Sequence, residues 1–188
     1  MDPLEYVRQF VDEVAIPRRN PLPGVPESFR VDPSDDSEWT EWLAMPSPVT
    51  DRQLDAIESE FQILMPSVLR EYFSHIQLLD GDFGMISMPH MRPPDPLSDL
   101  RHQIEIVNSH DIFQRRSMLP FAQDGNDGGP LCFQCANDTR VLDAPVFFLD
   151  HELLNNDTYQ GERRWNSFVE MLTAVAEDLI SYDHANGE

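Results

Sequence analysis

The stretch that decides the fold runs from Asp51 to Gly81 and reads DRQLDAIESEFQILMPSVLREYFSHIQLLDG. Just before it, Thr50 forms a capping-box pattern with Gln53, which predicts the start of a helix. Pro66 suits the first turn of a second helix, where its missing N–H does no harm. Apolar residues recur on one face of each predicted helix: Leu54, Ile57 and Phe61, then Leu69, Tyr72, Phe73 and Ile76. The sequence therefore predicts two consecutive helices that end at an Asp-Gly-Asp turn.

Beyond this helix pair the pattern changes to short strands around one inserted helix. The C-terminal segment carries apolar residues at the spacing of a long amphipathic helix. Because the strands cluster in sequence instead of alternating with helices, we predict an α+β fold with a largely antiparallel sheet flanked by helices. The expected elements are strands at 83–88, 118–122, 131–135 and 146–149, a helix at 98–109, and a helix carrying Trp165, Phe168, Leu172, Val175 and Leu179.

The N-terminal residues form an extension of different character. A helix is expected over 2–15, since Asp2 can cap it and Pro17 stops it. Residues 17–35 contain five prolines, which excludes a regular helix or a central strand and indicates an irregular strap. A short helix is expected next, at 36–44. That helix is expected to bury Trp39, Trp42 and Leu43.

The charge of the chain indicates the kind of partner it binds. The sequence holds 34 Asp and Glu against 13 Arg and no Lys, for a formal net charge of -21. Solubility of a small domain needs a net charge of only about 2–8, so a charge this large favours steered capture of a basic partner. Nucleic acid would be repelled. No apolar run approaches the ~18 residues of a membrane span and no secretory signal is present, so we expect a cytoplasmic protein without membrane contact.

Two groups of polar residues could form a metal or catalytic site, but each also has a purely structural interpretation. Cys132 and Cys135 form a C-x-x-C pattern, but on a strand they point to opposite faces, and no second pair accompanies them. Asp150-His151-Glu152 is read as a solvated strand exit; the alternative is a metal-dependent hydrolase. We therefore predict no catalytic residue, no metal and no cofactor.

The acidic turns are the expected contact surface for a protein partner. The loop from Asp124 to Gly129 lacks the glutamate and the flanking helices of an EF-hand, so we read it as a hairpin loop that displays carboxylates. Asp80-Gly81-Asp82 is a second acidic turn that could share one rim with it. The predicted partner-binding residues are Asp80, Asp82, Asp124, Asp127 and Asp138.

The order of these elements resembles the SUKH superfamily. Its opening motif is matched by Glu58, Phe61, Met65-Pro66, Tyr72, Phe73 and Asp80-Gly81. The later stretch MLPFAQDGNDGGPLCFQC resembles its second signature, a strand, a D-G-rich turn and an aromatic strand. The chain departs from the pattern with Met65 where Leu is usual and Asp80 where Asn is common. The resemblance covers about residues 50–182, which divides the chain into an extension at 1–49 and a SUKH-like domain at 50–188.

The resemblance implies a twisted sheet flanked by helices and a role in binding proteins. Many bacterial members neutralise toxins, often nucleases, and eukaryotic members are scaffolds in cell-wall regulation. Together with the negative charge of the chain, the resemblance predicts a non-enzymatic immunity protein that neutralises a cognate, basic toxin by occluding it. The alternative is an acidic scaffold with several weaker partners. The toxin's identity and the oligomeric state stay open.

Overall fold

The fold is a mixed α+β arrangement built around an antiparallel sheet, as predicted. The computed structural model describes residues 1–108, 117–126, 128–135, 139–154, 156 and 158–186. Its helices and strands are α1 (Pro3–Phe10), β1 (Leu22–Pro23), β2 (Trp39–Thr40), β3 (Met45–Pro46), α2 (Asp51–Phe61), α3 (Ser67–His75), β4 (Ile76–Gln77), β5 (Ile86–Ser87), α4 (Ser98–Asn108), β6 (Met118–Asp124), β7 (Pro130–Gln134), β8 (Val146–Phe148), β9 (Glu162–Trp165) and α5 (Phe168–Asn186). Among these residues, β5 to β9 form one sheet in sequence order, and β1-β2 and β3-β4 form two short ribbons. Every pairing is antiparallel.

One face of the large sheet builds the main hydrophobic core with α1, α3 and α5. Phe121 of β6 and Phe133 of β7 stack with their ring centroids 4.1 Å apart. Phe168, at the start of α5, approaches these two rings at 5.6 and 5.5 Å. Tyr72 of α3 meets the same Phe168 ring edge-on. Aromatic pairs in such geometries stabilise a core beyond the area they bury, so this cluster joins the sheet to two helices.

The opposite face of the sheet carries a smaller hydrophobic cluster. Cys132 of β7 lies in it and Cys135 lies in the main core, which confirms that the two cysteines point to opposite faces. Both are buried and neither forms a disulfide. The smaller cluster is formed by Val107 of α4 with Met118, Cys132, Leu149 and Leu154.

The N-terminal helix is part of the main core. Asp2 accepts a hydrogen bond from the Leu4 N–H at 3.3 Å, and Pro3 occupies the first helical position. The helix continues through one π-turn, with the Ile16 N–H donating to the Val11 carbonyl, before Pro17. The buried residues of this segment are Val7, Phe10, Val11 and Ala15. The extension outside the SUKH-like pattern therefore shares the hydrophobic core of the sheet.

The helix expected at 36–44 is wrong. Residues Trp39–Thr40 are strand β2, paired with Leu22–Pro23, and the Leu43 N–H donates to the carbonyl of Phe29. Side chains alternate along a strand, so only Trp42 is buried, whereas Trp39 is 60% and Leu43 is 42% exposed. The three apolar residues expected to form the buried face of a helix therefore lie on opposite faces of an extended segment.

The other predicted elements are present, and among the described residues five short strands are additional: β1, β2, β3, β4 and β9. The predicted helices after Thr50 and Pro66, at 98–109 and at the C-terminus are confirmed, as are the four predicted strands. Two residues expected on helices lie in strands instead: α3 ends at His75, so Ile76 begins β4, and α5 begins at Phe168, so Trp165 ends β9. The sequence does not predict β9, because Arg163 and Arg164 break its apolar pattern. Their guanidinium groups lie over the rings of Phe147 and Phe148 at 5.5 and 4.9 Å, so the strand packs through cation–π contacts. The β3-β4 ribbon pairs residues too far apart for a local signal.

Phe168→Ala is expected to destabilise the protein by about 3–5 kcal/mol, because it opens a cavity between α5 and the aromatic cluster. Ile180→Ala, at a position of α5 that is 41% exposed, serves as the matched control and should cost under about 1 kcal/mol. Urea unfolding monitored by circular dichroism measures both. Equal midpoints for the two variants would contradict the central place given to Phe168.

Candidate protein-binding surface

The two acidic turns predicted to share a rim do lie against each other. In the first turn, Asp80 accepts a hydrogen bond from the Asp82 N–H at 3.2 Å, and Asp82 accepts one from the Gly84 N–H at 2.9 Å. The second turn begins at Gly125, whose N–H donates to the Met85 carbonyl. A side chain at position 125 would collide with the Gly84 carbonyl, so only glycine permits this approach. The backbone of the two turns therefore forms one continuous edge.

The predicted contact residues differ in how they are placed along this edge. Asp82 is exposed and Asp80 is half-buried. Asp124, in contrast, is only 8% exposed, and its carboxylate accepts the Asn126 N–H at 2.9 Å. It lies at the base of the second turn and shapes it, instead of presenting a free carboxylate to solvent. Asp127 and Asp138 lie outside the described residues.

A buried carboxylate anchors α2 and α3. Glu58 of α2 is 6% exposed. It accepts two hydrogen bonds from Arg140 at 2.9 Å, one from Arg70 at 3.1 Å and one from the Met65 N–H at 2.8 Å. The paired contact with Arg140 is the bidentate geometry that makes arginine–carboxylate interactions strong. Glu58 thus joins α2 to the start of α3 and to the connection between β7 and β8.

Arg70 extends this network to the exposed side of α2. It contacts Asp51 at 2.7 Å and Asp55 at 2.9 Å as well as Glu58. Burial lowers the pKa of Arg70, but the hydrogen bonds and charges of these three carboxylates outweigh it, so the pKa is raised overall. The guanidinium group is therefore fixed in its charged form at every accessible pH.

Most of the described arginines make contacts with other groups of the same chain. Nearly every arginine that the structure describes contacts a carboxylate, a backbone carbonyl or an aromatic ring of the same chain. These residues are Arg8, Arg18, Arg19, Arg30, Arg70, Arg92, Arg101, Arg140, Arg163 and Arg164. Their charges are thus held by internal partners, and the acidic excess of the sequence is carried by the exposed surface.

A family model described as the SMI1 / KNR4 family (SUKH-1) matches residues 48–174. The chain belongs to the SMI1/KNR4 family. This SUKH-1 family includes toxin immunity proteins and regulatory proteins. No curated protein matches the chain. Glu58, Arg70 and Arg140 all lie inside the SUKH-1 match, and the Pro-rich strap lies before it.

The two constellations considered for chemistry have structural roles in this SUKH-1 chain. Asp150 caps the short 3-10 helix at His151–Leu153 by accepting the Glu152 N–H. Burial raises the pKa of the Cys135 thiol to about 12, which removes its nucleophilic form at neutral pH. Within the described ranges, no group of three or more His, Cys, Asp and Glu could hold a metal ion. None of the described helices is long and apolar enough to cross a membrane.

Glu58→Gln is expected to destabilise this SUKH-1 protein by about 3 kcal/mol. The amide keeps the shape of the side chain but leaves Arg70 and Arg140 without their shared negative charge. Glu60→Gln removes a charge from the same helix at a position that is 49% exposed, and should cost under about 1 kcal/mol. Chemical denaturation measures both. Losses of similar size would show that the buried network contributes no more than a surface ion pair.

Both native cysteines are expected to resist a thiol reagent such as DTNB at pH 8, because both side chains are buried and unfolding must precede reaction. Ser181→Cys places a thiol at an exposed position of α5 and is the reactive control. The absorbance of the released thiolate gives the rates. Rapid labelling of the native wild-type protein would contradict the placement of the two cysteines.

Proposed function

We propose that this protein is an immunity protein that binds and neutralises a cognate, basic bacterial toxin, such as a nuclease, by non-covalent occlusion. Membership of the SUKH-1 family supports the general role, since the family includes toxin immunity proteins. The observation that carries the finer proposal is the net charge of -21, which favours a partner of opposite sign. Most of the described arginines already contact carboxylates, carbonyls or aromatic rings of the same chain, which leaves few of them to bind an acidic partner.

The acidic edge at Asp80 and Asp82 is proposed as the part of the surface that attracts the toxin. Its backbone is held by the hydrogen bonds within the first turn and by the contact with Gly125. A fixed cluster of exposed charge raises the rate of encounter more than it raises the lifetime of the complex. Asp124 supports this edge from below, and Asp127 and Asp138 are proposed to extend it.

Retention from a lysate of the source cells identifies the partner. The purified protein serves as bait at low salt, and the bound proteins are identified by mass spectrometry. One dominant basic polypeptide that survives a high-salt wash, and whose toxicity the bait abolishes at equal molar amounts, would support the proposal. Several weak partners that leave in the wash would favour a regulatory scaffold instead, because loss at high salt indicates superficial charge pairing.

Asp80→Asn combined with Asp82→Asn is expected to slow association with that basic polypeptide roughly three- to tenfold at low salt, and to have little effect at high salt. Glu177→Gln combined with Asp178→Asn removes the same charge from an exposed part of α5 and is the matched control. Stopped-flow association at several salt concentrations measures both. Equal slowing by both pairs would assign steering to net charge and remove the special role of the edge.

A further inference from the structure

The Pro-rich residues 17–35 and the extended segment 36–45 that pairs with them, together called the strap from this point, present an apolar face to solvent. From Trp39 to Met45 the backbone is extended, and exposure alternates: the odd-numbered side chains face outward, whereas Thr40 and Trp42 are buried. The neighbouring segment at Arg30 pairs with this one and adds a further exposed apolar residue. The apolar members of the outer face are Val31, Trp39, Leu43 and Met45, which are 47%, 60%, 42% and 38% exposed.

The inner face of the strap is held firmly against the body of the protein. The indole N–H of Trp42 donates to the Asn20 carbonyl at 2.9 Å. Arg19 donates to the Trp42 carbonyl at 2.6 Å, and its guanidinium group lies over the Trp42 ring. Arg30 closes the loop behind by donating to the carbonyls of Val25 and Asp35. A surface fixed in this way loses little conformational entropy when a partner binds.

Acidic residues border this face, and Glu41 lies on it between Trp39 and Leu43. Hydrogen bonds from Ser34 hold the pKa of Asp32 below its ordinary value, and the backbone N–H and hydroxyl of Ser37 do the same for Asp35. These carboxyl groups are therefore ionised throughout the neutral range. The acids of residues 27–45 are Glu27, Asp32, Asp35, Asp36, Glu38 and Glu41, and the arginine of this stretch, Arg30, is bound to backbone carbonyls.

We propose that this outer face of the strap, centred on Trp39, is the anchor of the protein–protein interface and that its occupant is the basic toxin; the identity of the occupant rests on the function proposed above. An apolar centre with an aromatic anchor and a polar rim is the arrangement found in binding hot spots. The rim is acidic, so it favours a basic partner. A second copy of this chain would bring the same acidic rim and a net charge of -21, which disfavours self-association.

The strap also adjoins the acidic edge. Leu79, which directly precedes Asp80, lines a small cleft together with Val25 of the strap and Arg92. The strap precedes residue 48, where the SUKH-1 match begins, so the anchor belongs to the part of the chain that the family pattern does not specify. Recognition of one particular toxin then resides in the extension, and the shared fold supports it.

Trp39→Ser tests the anchor with the basic polypeptide that the wild-type bait retains. Because Trp39 is exposed, the variant should unfold at the wild-type denaturant concentration and yet bind at least about tenfold more weakly, mainly through faster dissociation. Ile180→Ser removes an exposed apolar residue from α5 and is the matched control, with unchanged affinity. Surface plasmon resonance gives both rates. Wild-type affinity of the Trp39→Ser variant would overturn the anchor while leaving the proposed function intact.

Photo-crosslinking in the source cells tests the occupant directly. The crosslinker p-benzoylphenylalanine replaces Trp39 in one version of the full chain and Ile180 in the control. An adduct with the same basic polypeptide from position 39 alone supports the proposal. An adduct with a second copy, or with an acidic or neutral protein, overturns it. If no basic polypeptide is retained by the bait and none is crosslinked at position 39, the proposed function fails together with the anchor.

Discussion

The structure depends on one buried carboxylate. The Glu58 carboxylate is buried, and the free-energy cost of removing its charge from water is offset because it accepts four hydrogen bonds. The donors come from separate parts of the chain. One donor is a backbone N–H at the α2–α3 junction, and the others are guanidinium groups of Arg70 and Arg140. These contacts join the α2–α3 junction, Arg70 of α3 and Arg140 of the β7–β8 connection at one buried group.

The same connection also fixes the C-terminal helix. Three residues beyond Arg140, the Asp143 carboxylate accepts the N–H groups of Phe168 and Val169 at 2.8 and 3.3 Å. A carboxylate there satisfies free donors and opposes the positive end of the helix dipole. Phe168 is thereby aimed at Phe121 and Phe133. A series of electrostatic contacts thus leads from Glu58 to the aromatic core. Arg70 and Arg140 are engaged in these contacts, so their guanidinium groups are not free to pair with other acidic residues of the surface.

Local signals in the sequence predict the helices and the central strands. The Thr50–Gln53 capping box and Pro66 determine where α2 and α3 begin, and short, mostly apolar runs near turn residues mark β6, β7 and β8. Elements that depend on distant partners are not predicted. The segment around Trp42 becomes extended because residues of the Pro-rich strap pair with it, and β9 exists because Phe147 and Phe148 accept arginine side chains. The proximity of the two acidic turns could be proposed from their composition, but the burial of Asp124 depends on how the loop folds back on it.

The placement of the first helix determines when the protein can finish folding. Tyr6 of α1 accepts a hydrogen bond from Thr173 of α5 at 2.8 Å, and Arg18 pairs with Asp183 at 2.8 Å. Helix α1 must therefore wait for α5, which lies about 160 residues later in the chain. At ~5–20 residues per second, synthesis of the intervening residues takes roughly 8–30 s. During that interval the apolar side of α1 lacks its final partner, so the core cannot be completed before α5 has been synthesised.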